Sequence, residues 1–148
     1  MIMNLYTMGF TQKSAENFFS LIEKNNIEIL IDIRLRNNSQ LAGFAKGRDL
    51  KYFLRKLGSC LYVHEEKFAP YKEMLDDYKK GIISWEKYEI LYRELYERRG
   101  MGEYFFKRFN TYENILFLCS EVTPEHCHRR LLAEYLAHDN SNVVIYHL

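Results

Sequence analysis

The sequence predicts an α/β domain: a mainly parallel sheet of about five strands flanked by helices, with a helical insertion between strands three and four. Three observations lead there. The continuous apolar run IEILIDIR at residues 27–34 has the length and composition of a strand covered on both faces. Strand-like segments alternate with segments of helical period along the chain, the pattern of β-α-β units. A helix pattern beginning near Thr123 is followed at once by VVIYHL, which supplies a last strand. With 148 residues, 47% hydrophobic and 28% charged, a single domain spanning 1–148 is expected, since two domains would each bury too little surface.

Residues Asn4 to Phe10 read as a first strand, after which Gly9 supplies a turn and Thr11 a helix cap. Ala15, Phe18, Phe19 and Ile22 then form one apolar helical face, and Asn25-Asn26 ends it. After the second strand the pattern dissolves between Leu35 and Gly47 into a polar, glycine-containing loop, longer than most connections and so a candidate lid. A second helix over about Asp49–Lys56 turns Leu50, Phe53, Leu54 and Leu57 inward, stops at Gly58, and gives way to the strand CLYVH. From about 65 to 112 the chain is helical, charged and aromatic. Its clearest segment, Trp85–Arg99, carries the stripe Trp85, Tyr88, Leu91, Tyr92 and Leu95, with Ser84 as cap and Gly100 as stop. Glu89/Arg93 and Glu94/Arg98 are four apart on its outer face. NILFLC is the fourth strand. Thr123, Pro124 and Glu125 then have the chemistry of a helix start: cap, first position, and a negative charge at the positive end of the dipole.

In parallel sheets ligands bind beyond the carboxyl ends of the strands, where loops and helix N-termini converge. The polar residues expected there are Gly9 and Thr11 after strand one, Asp32 and Arg34 after strand two, Cys119 and Glu121 after strand four, and Cys127, His128 and Arg129 at the last helix start. Asp32 and Arg34 read either as a structural ion pair or as an anion holder with its orienting base. Cys119 reads as a small core residue or as a thiol activated by a helix dipole. Glu121 either favours the helix start or handles protons. His128 shares a face with Leu131, Leu132 and Tyr135, which suits a buried histidine as well as a catalytic one. Arg129 and Arg130 sit at the end of a helix that repels cations, a sign that at least one of them answers to an anion.

No metal site is expected. Cys119, His126, Cys127 and His128 place four potential ligands in ten residues, but consecutive residues of a helix diverge by about 100°, so 126, 127 and 128 cannot all face one ion. No motif names a cofactor, and no C-x5-R phosphate cradle is present.

These residues also carry a resemblance. Thr7-Met8-Gly9, Asp32-Ile33-Arg34, Cys119-Ser120-Glu121, Cys127-His128-Arg129 and the ending Val144-Ile145-Tyr146-His147 resemble the motifs of the domain of unknown function 488 family over essentially the whole chain. The chain departs from that pattern at Phe10, where the family often has histidine, at Ser39-Gln40, where it often has Ser-Arg, and around Ala69-Pro70, in place of a glycine pair. The resemblance implies a single α/β domain with a polar cluster at the shared positions, and no reaction.

The net charge of +1 excludes a globally basic nucleic-acid binder. It is a cancellation: residues 48–112 carry 14 basic and 11 acidic side chains, and 113–148 carry 2 and 5. Three cysteines without scaffold spacing suit reduced thiols, and no apolar run has the length of a membrane span, so a cytoplasmic protein with no membrane partner is expected. The function expected first is a small enzyme or enzyme-like domain that binds an anionic, phosphate-bearing ligand, a nucleotide or a nucleic-acid end. Arg34 and Arg129 would hold the anion, Gly9 and Thr11 would line its site, Asp32 and Glu121 would handle protons, and Cys119 or His128 would assist or attack. A non-catalytic nucleic-acid or protein-interaction module is the alternative, resting on the 15 of 23 aromatics that fall in 48–112. A thiol redox sensor using Cys119 and Cys127 is a third.

Overall fold

The computed structural model describes residues 1–37 and 43–148. Five strands, β1 (Met3–Gly9), β2 (Ile29–Asp32), β3 (Leu61–His64), β4 (Asn114–Cys119) and β5 (Val143–His147), form one wholly parallel sheet in the order β3-β2-β4-β1-β5. Six helices cover it: α1 (Ala15–Lys24), α2 (Gly47–Leu57), α3 (Lys72–Lys79), α4 (Trp85–Arg98), α5 (Met101–Phe109) and α6 (His128–Asp139). The insertion between β3 and β4 is therefore three helices, α3 to α5. After it, β4 takes the centre of the sheet, between β2 and β1. Among the described residues no helix is long and apolar enough to cross a membrane.

Alternation along the strands divides the core in two. Met8, Leu30, Leu116 and Leu118 face α1 and α2, meeting Phe18, Ile22, Leu50 and Leu54. Leu5, Ile29, Ile31, Ile115 and Phe117 face α4, α5 and α6, meeting Tyr92, Phe105, Leu132 and Leu136. The aromatic excess of the insertion belongs to this second layer: Tyr88, Tyr92, Tyr96, Phe105 and Phe109 are buried there.

Several boundaries differ from expectation, each for a local reason. Thr11 is not a helix cap. Gly9 still belongs to β1, Gln12 takes a positive φ of 63°, and the cap is Ser14, whose side chain accepts from the Asn17 N–H. Thr123 is not a cap either: the chain stays in turns as far as Cys127, which is extended at φ −140° and ψ 139° and occupies the position before the first turn of α6. β2 ends at Asp32, so Arg34 lies just past the strand. Glu89 reaches Arg130 on α6 at 3.3 Å in place of Arg93 on its own helix. Of the expected loop lid, residues 38–42 lie outside the described residues, Ser39-Gln40 among them. Ser84, Gly58 and the strand NILFLC are as expected.

Candidate functional site

Register fixes where the candidates sit. Asp32 pairs with Leu118 and Gly9 pairs with Cys119. Asp32 therefore shares the α1/α2 face with Leu118, while Cys119, one residue on, faces the α4–α6 side. The residues predicted to form one cluster are two buried clusters on opposite faces of the sheet, joined at its carboxyl edge by the Ile33-Arg34 backbone.

On the α1/α2 side Asp32 anchors Arg34. Its Oδ1 accepts from the Arg34 backbone N–H at 3.2 Å and from Nε at 2.8 Å; its Oδ2 accepts from Nη2 at 2.7 Å and from the Tyr62 hydroxyl at 2.6 Å. Arg34 also donates to the Ala45 carbonyl at 2.7 Å, and its guanidinium lies over the Phe10 ring. The His64 ring donates through Nε2 to the Arg34 carbonyl at 2.7 Å. Burial, then the Asp32 carboxylate, pushes the Tyr62 hydroxyl well up, so it stays a donor. Asp32 and Arg34 thus satisfy each other, apart from Arg34 Nη1, which is buried with no hydrogen-bond partner among the described residues. Tyr62 and His64 carry no local signal, because only tertiary pairing of β3 with β2 brings them here; Asn37, in the loop after β2, donates to the Tyr62 hydroxyl at 3.1 Å.

On the α4–α6 side Cys119, Cys127, His128 and Arg129 meet. The Cys127 thiol donates to Cys119 Sγ at 3.0 Å, and His128 Nδ1 lies 3.7 Å from the same sulfur. His128 Nε2 donates to the Ile33 carbonyl at 2.7 Å, which fixes the ring and turns Nδ1 toward the thiols. The hydrogen bond from Cys127, with His128 and Arg129 behind it, holds the Cys119 thiol well below its ordinary range against the opposing effect of burial. Burial and the Cys119 charge push the Cys127 thiol well up. Burial disfavours the His128 imidazolium, but the neighbouring Cys119 and the Ile33 carbonyl outweigh it and raise its pKa. Cys60, buried on the other face without such neighbours, is pushed up to about 12. The contrast shows that cationic and hydrogen-bonding neighbours, not burial, set Cys119 apart.

Arg129 is fully buried. It donates to the Glu121 carbonyl at 2.6 Å and the Val122 carbonyl at 3.3 Å, meets no carboxylate within ion-pair distance among the described residues, and its Nε has no partner. Arg130, the next residue, is satisfied by Glu89, Glu134 and the Glu125 carbonyl. Gly9 is what lets the 120–122 loop cross β1: a Cβ there would stand 1.5 Å from the Glu121 carbonyl oxygen. Thr11 fastens the same loop through a hydrogen bond from its hydroxyl to the Ser120 carbonyl. Gly9 and Thr11 are thus loop supports, and Glu121 contributes its carbonyl, its side chain being exposed. The expected proton-handling role of the Glu121 carboxylate has no geometry behind it here. His126 is outside the cluster, stacked on Trp85 at 4.9 Å.

The family model described as "Domain of unknown function DUF488" matches residues 14–136. The chain belongs to this family. The matched span holds both buried clusters; Gly9 and Thr11 precede it. No curated protein and no solved structure matches the chain. Membership in the DUF488 family brings no reaction with it, so the chemistry rests on the geometry.

All three cysteines are free and buried, and the donor atoms of Cys119, Cys127 and His128 all lie within 4.8 Å of one another. An apolar cavity of about 350 Å³ between α1 and α2, lined by Phe19, Phe44, Phe53 and Leu57, lies on the face opposite Cys119 and contains none of the candidates.

Proposed function

We propose that this DUF488 protein is a small enzyme that acts on an anionic, phosphate-bearing ligand, a nucleotide or a nucleic-acid end, at the carboxyl edge of β1 and β4. The observation that supports it is Arg129: a fully buried guanidinium that, among the described residues, meets no carboxylate, donates to two backbone carbonyls and leaves its Nε N–H without a partner. Buried charges are normally paired, and an arginine is the side chain best shaped to hold a phosphate oxygen pair. Arg34 is the weaker anion holder, being neutralised by Asp32. Cys119, Cys127 and His128 are the reactive groups beside Arg129.

The test is thermal unfolding of the full chain with inorganic phosphate, nucleoside mono-, di- and triphosphates, and 5′-phosphorylated oligonucleotides. A ligand at 100-fold its Kd adds about 2.7 kcal/mol, which raises the midpoint of a domain this size by roughly 5–11 °C. Arg129→Lys keeps the charge and loses the fork, and should lose most of that rise. If no phosphate compound moves the midpoint, the anion reading fails. A redox reading has one observation in its favour, the 3.0 Å approach of the Cys119 and Cys127 sulfurs. It requires a hydroperoxide to remove two electrons and two protons, leaving a disulfide, an alcohol and water, and slow thiol loss under mild peroxide would count against it.

A further inference from the structure

The geometric reason for expecting no metal site does not hold in the folded chain. That expectation took residues 126–128 as one turn of helix, whose side chains splay. In the structure α6 begins only at His128, and Cys127 is extended. The extended residue swings its thiol back toward the end of β4, beside the His128 ring, while His126 alone is left outside.

We propose that Cys119, Cys127 and His128 form a zinc site with three protein ligands and a fourth position open to an exogenous one. The donor set is two thiolate sulfurs and one imidazole nitrogen, the soft combination that favours zinc over magnesium or calcium. One of the three donor–donor edges matches what the ion needs, the sulfur pair must open, and the third, from Cys127 Sγ to the His128 ring nitrogen, lies within 4.8 Å and must close to about 3.6 Å as the ion binds. Tetrahedral zinc with bonds of about 2.3 Å to sulfur and 2.0–2.1 Å to nitrogen sets its S···N distances at about 3.6 Å and its S···S distance at about 3.8 Å. Cys119 Sγ and His128 Nδ1 stand 3.7 Å apart. The two sulfurs, at 3.0 Å, open by about 0.8 Å once the Cys127 proton leaves to solvent and the ion takes the place of the S–H···S bond.

The outer contacts are those of a metal-binding histidine. A ligating imidazole nearly always donates its other N–H to a carbonyl or carboxylate, and His128 Nε2 donates to the Ile33 carbonyl at 2.7 Å. The ring is thereby held in the tautomer that presents the Nδ1 lone pair to the two sulfurs. Charge also points to the fourth ligand. Two thiolates cancel the dication, and the Arg129 guanidinium beside them leaves one positive charge in a buried site, so an anion or hydroxide is favoured at the open position. Zinc binding does not depend on the anion reading, and each is tested by its own measurement.

The experiment uses the full chain, kept reduced with a phosphine and freed of metal by a chelator. Cobalt(II) is added first as the optical probe, then zinc. Binding at the thiolates gives a sulfur-to-cobalt charge-transfer band in the near ultraviolet and intense visible bands of four-coordinate cobalt, saturating near one equivalent and bleached by zinc. Cys127→Ser and His128→Asn should each weaken cobalt binding by about 10-fold or more, while Cys60→Ser, on the opposite face, leaves it unchanged. Since a cluster variant could fail to fold, the wild-type chain carries a second readout: zinc should protect two of its three thiols from a disulfide reagent. Absence of the charge-transfer band with all three thiols reduced, or equal reactivity of the thiols with and without zinc, overturns the site. Phosphate binding by the metal-free chain would leave the anion reading standing whatever the cobalt result.

Discussion

Replacing Asp32 with asparagine decides whether this carboxylate is an anchor or a proton-handling group. A carboxylate offers about four lone-pair sites, and in Asp32 all are taken: by the Arg34 backbone N–H, Arg34 Nε, Arg34 Nη2 and the Tyr62 hydroxyl. Asn keeps the volume but turns an NH₂ toward donors and removes the charge that balances Arg34, whose own side chain is 2% exposed. Breaking a buried pair from one side costs about 3–5 kcal/mol, because the other charge is left uncompensated. At about 2–4 °C per kcal/mol for a domain this size, the midpoint should fall by roughly 6–20 °C. The assay is thermal and urea unfolding followed by circular dichroism on Asp32→Asn, Arg34→Met and the double variant. The double variant should lose clearly less than the two singles added together, since removing the guanidinium also removes the orphaned charge. A loss below about 1 kcal/mol for Asp32→Asn, the scale of a solvent-exposed pair, would refute the anchor role and return Asp32 to the candidates for general base.

Gly9→Ala should cost about 1–3 kcal/mol or more, because its Cβ would meet backbone, the Glu121 carbonyl at 1.5 Å, and a flexible side chain cannot absorb that; an unchanged urea midpoint would show that the loop does not cross β1 there. Ser84→Ala should lose about 1 kcal/mol and Ser84→Gly only a few tenths, since the Ser84 side chain caps α4 at the Lys87 N–H; equal losses would deny the cap. Burial, then Arg129, lowers the pKa of His147 below 6.5, with Arg130 adding to the effect and Glu134 and Glu125 opposing it, and Thr7 Oγ1 lies 2.5 Å from its Nδ1. The unfolded chain therefore takes up this proton first, so the contribution of His147 is present above pH 6.5 and lost as pH falls through the lower folded value. The dependence of the melting temperature on pH should flatten below about pH 6.5 in His147→Gln, and identical slopes in the two proteins would sink the assignment.

What the sequence made legible follows from range of interaction. β4 was readable residue for residue because NILFLC is apolar after its opening Asn114 and bounded by polar turns, and Ser84 and Gly58 announce their caps locally. The same local logic misplaced both site-bearing helix starts. Thr11 and Thr123-Pro124-Glu125 have the right cap chemistry, but Thr11 spends its hydroxyl on the Ser120 carbonyl across the sheet edge, and Thr123 stands four residues before Cys127, the residue that precedes α6. A cap is a choice among nearby oxygens, and the competing one lay on another strand. Strand order was likewise out of reach: β4 enters between β1 and β2 after a three-helix insertion, and nothing local records it.

The site shows where residue type stops being informative. Arg129 and Arg130 are adjacent, both at the cation-repelling end of α6, and in sequence they are equivalent. A step of about 100° around the helix separates them. It sends Arg130 to Glu89 and Glu134, an ordinary satisfied surface network, and sends Arg129 under the 120–122 loop, where it meets carbonyls alone. Strand alternation places Cys119: as the last residue of β4 it faces the α4–α6 side, where it meets Cys127 and His128, eight and nine positions further along the chain. A buried guanidinium lacking a carboxylate, beside a thiol held low and a histidine fixed by a backbone carbonyl, is an arrangement that folding alone does not require. An apolar side chain at 129 would fill that space without desolvating a charge. The proposed anion-binding function rests on that positive charge, so the residue to alter first is Arg129, with Arg130→Lys as the variant that, on this proposal, should leave phosphate binding unchanged.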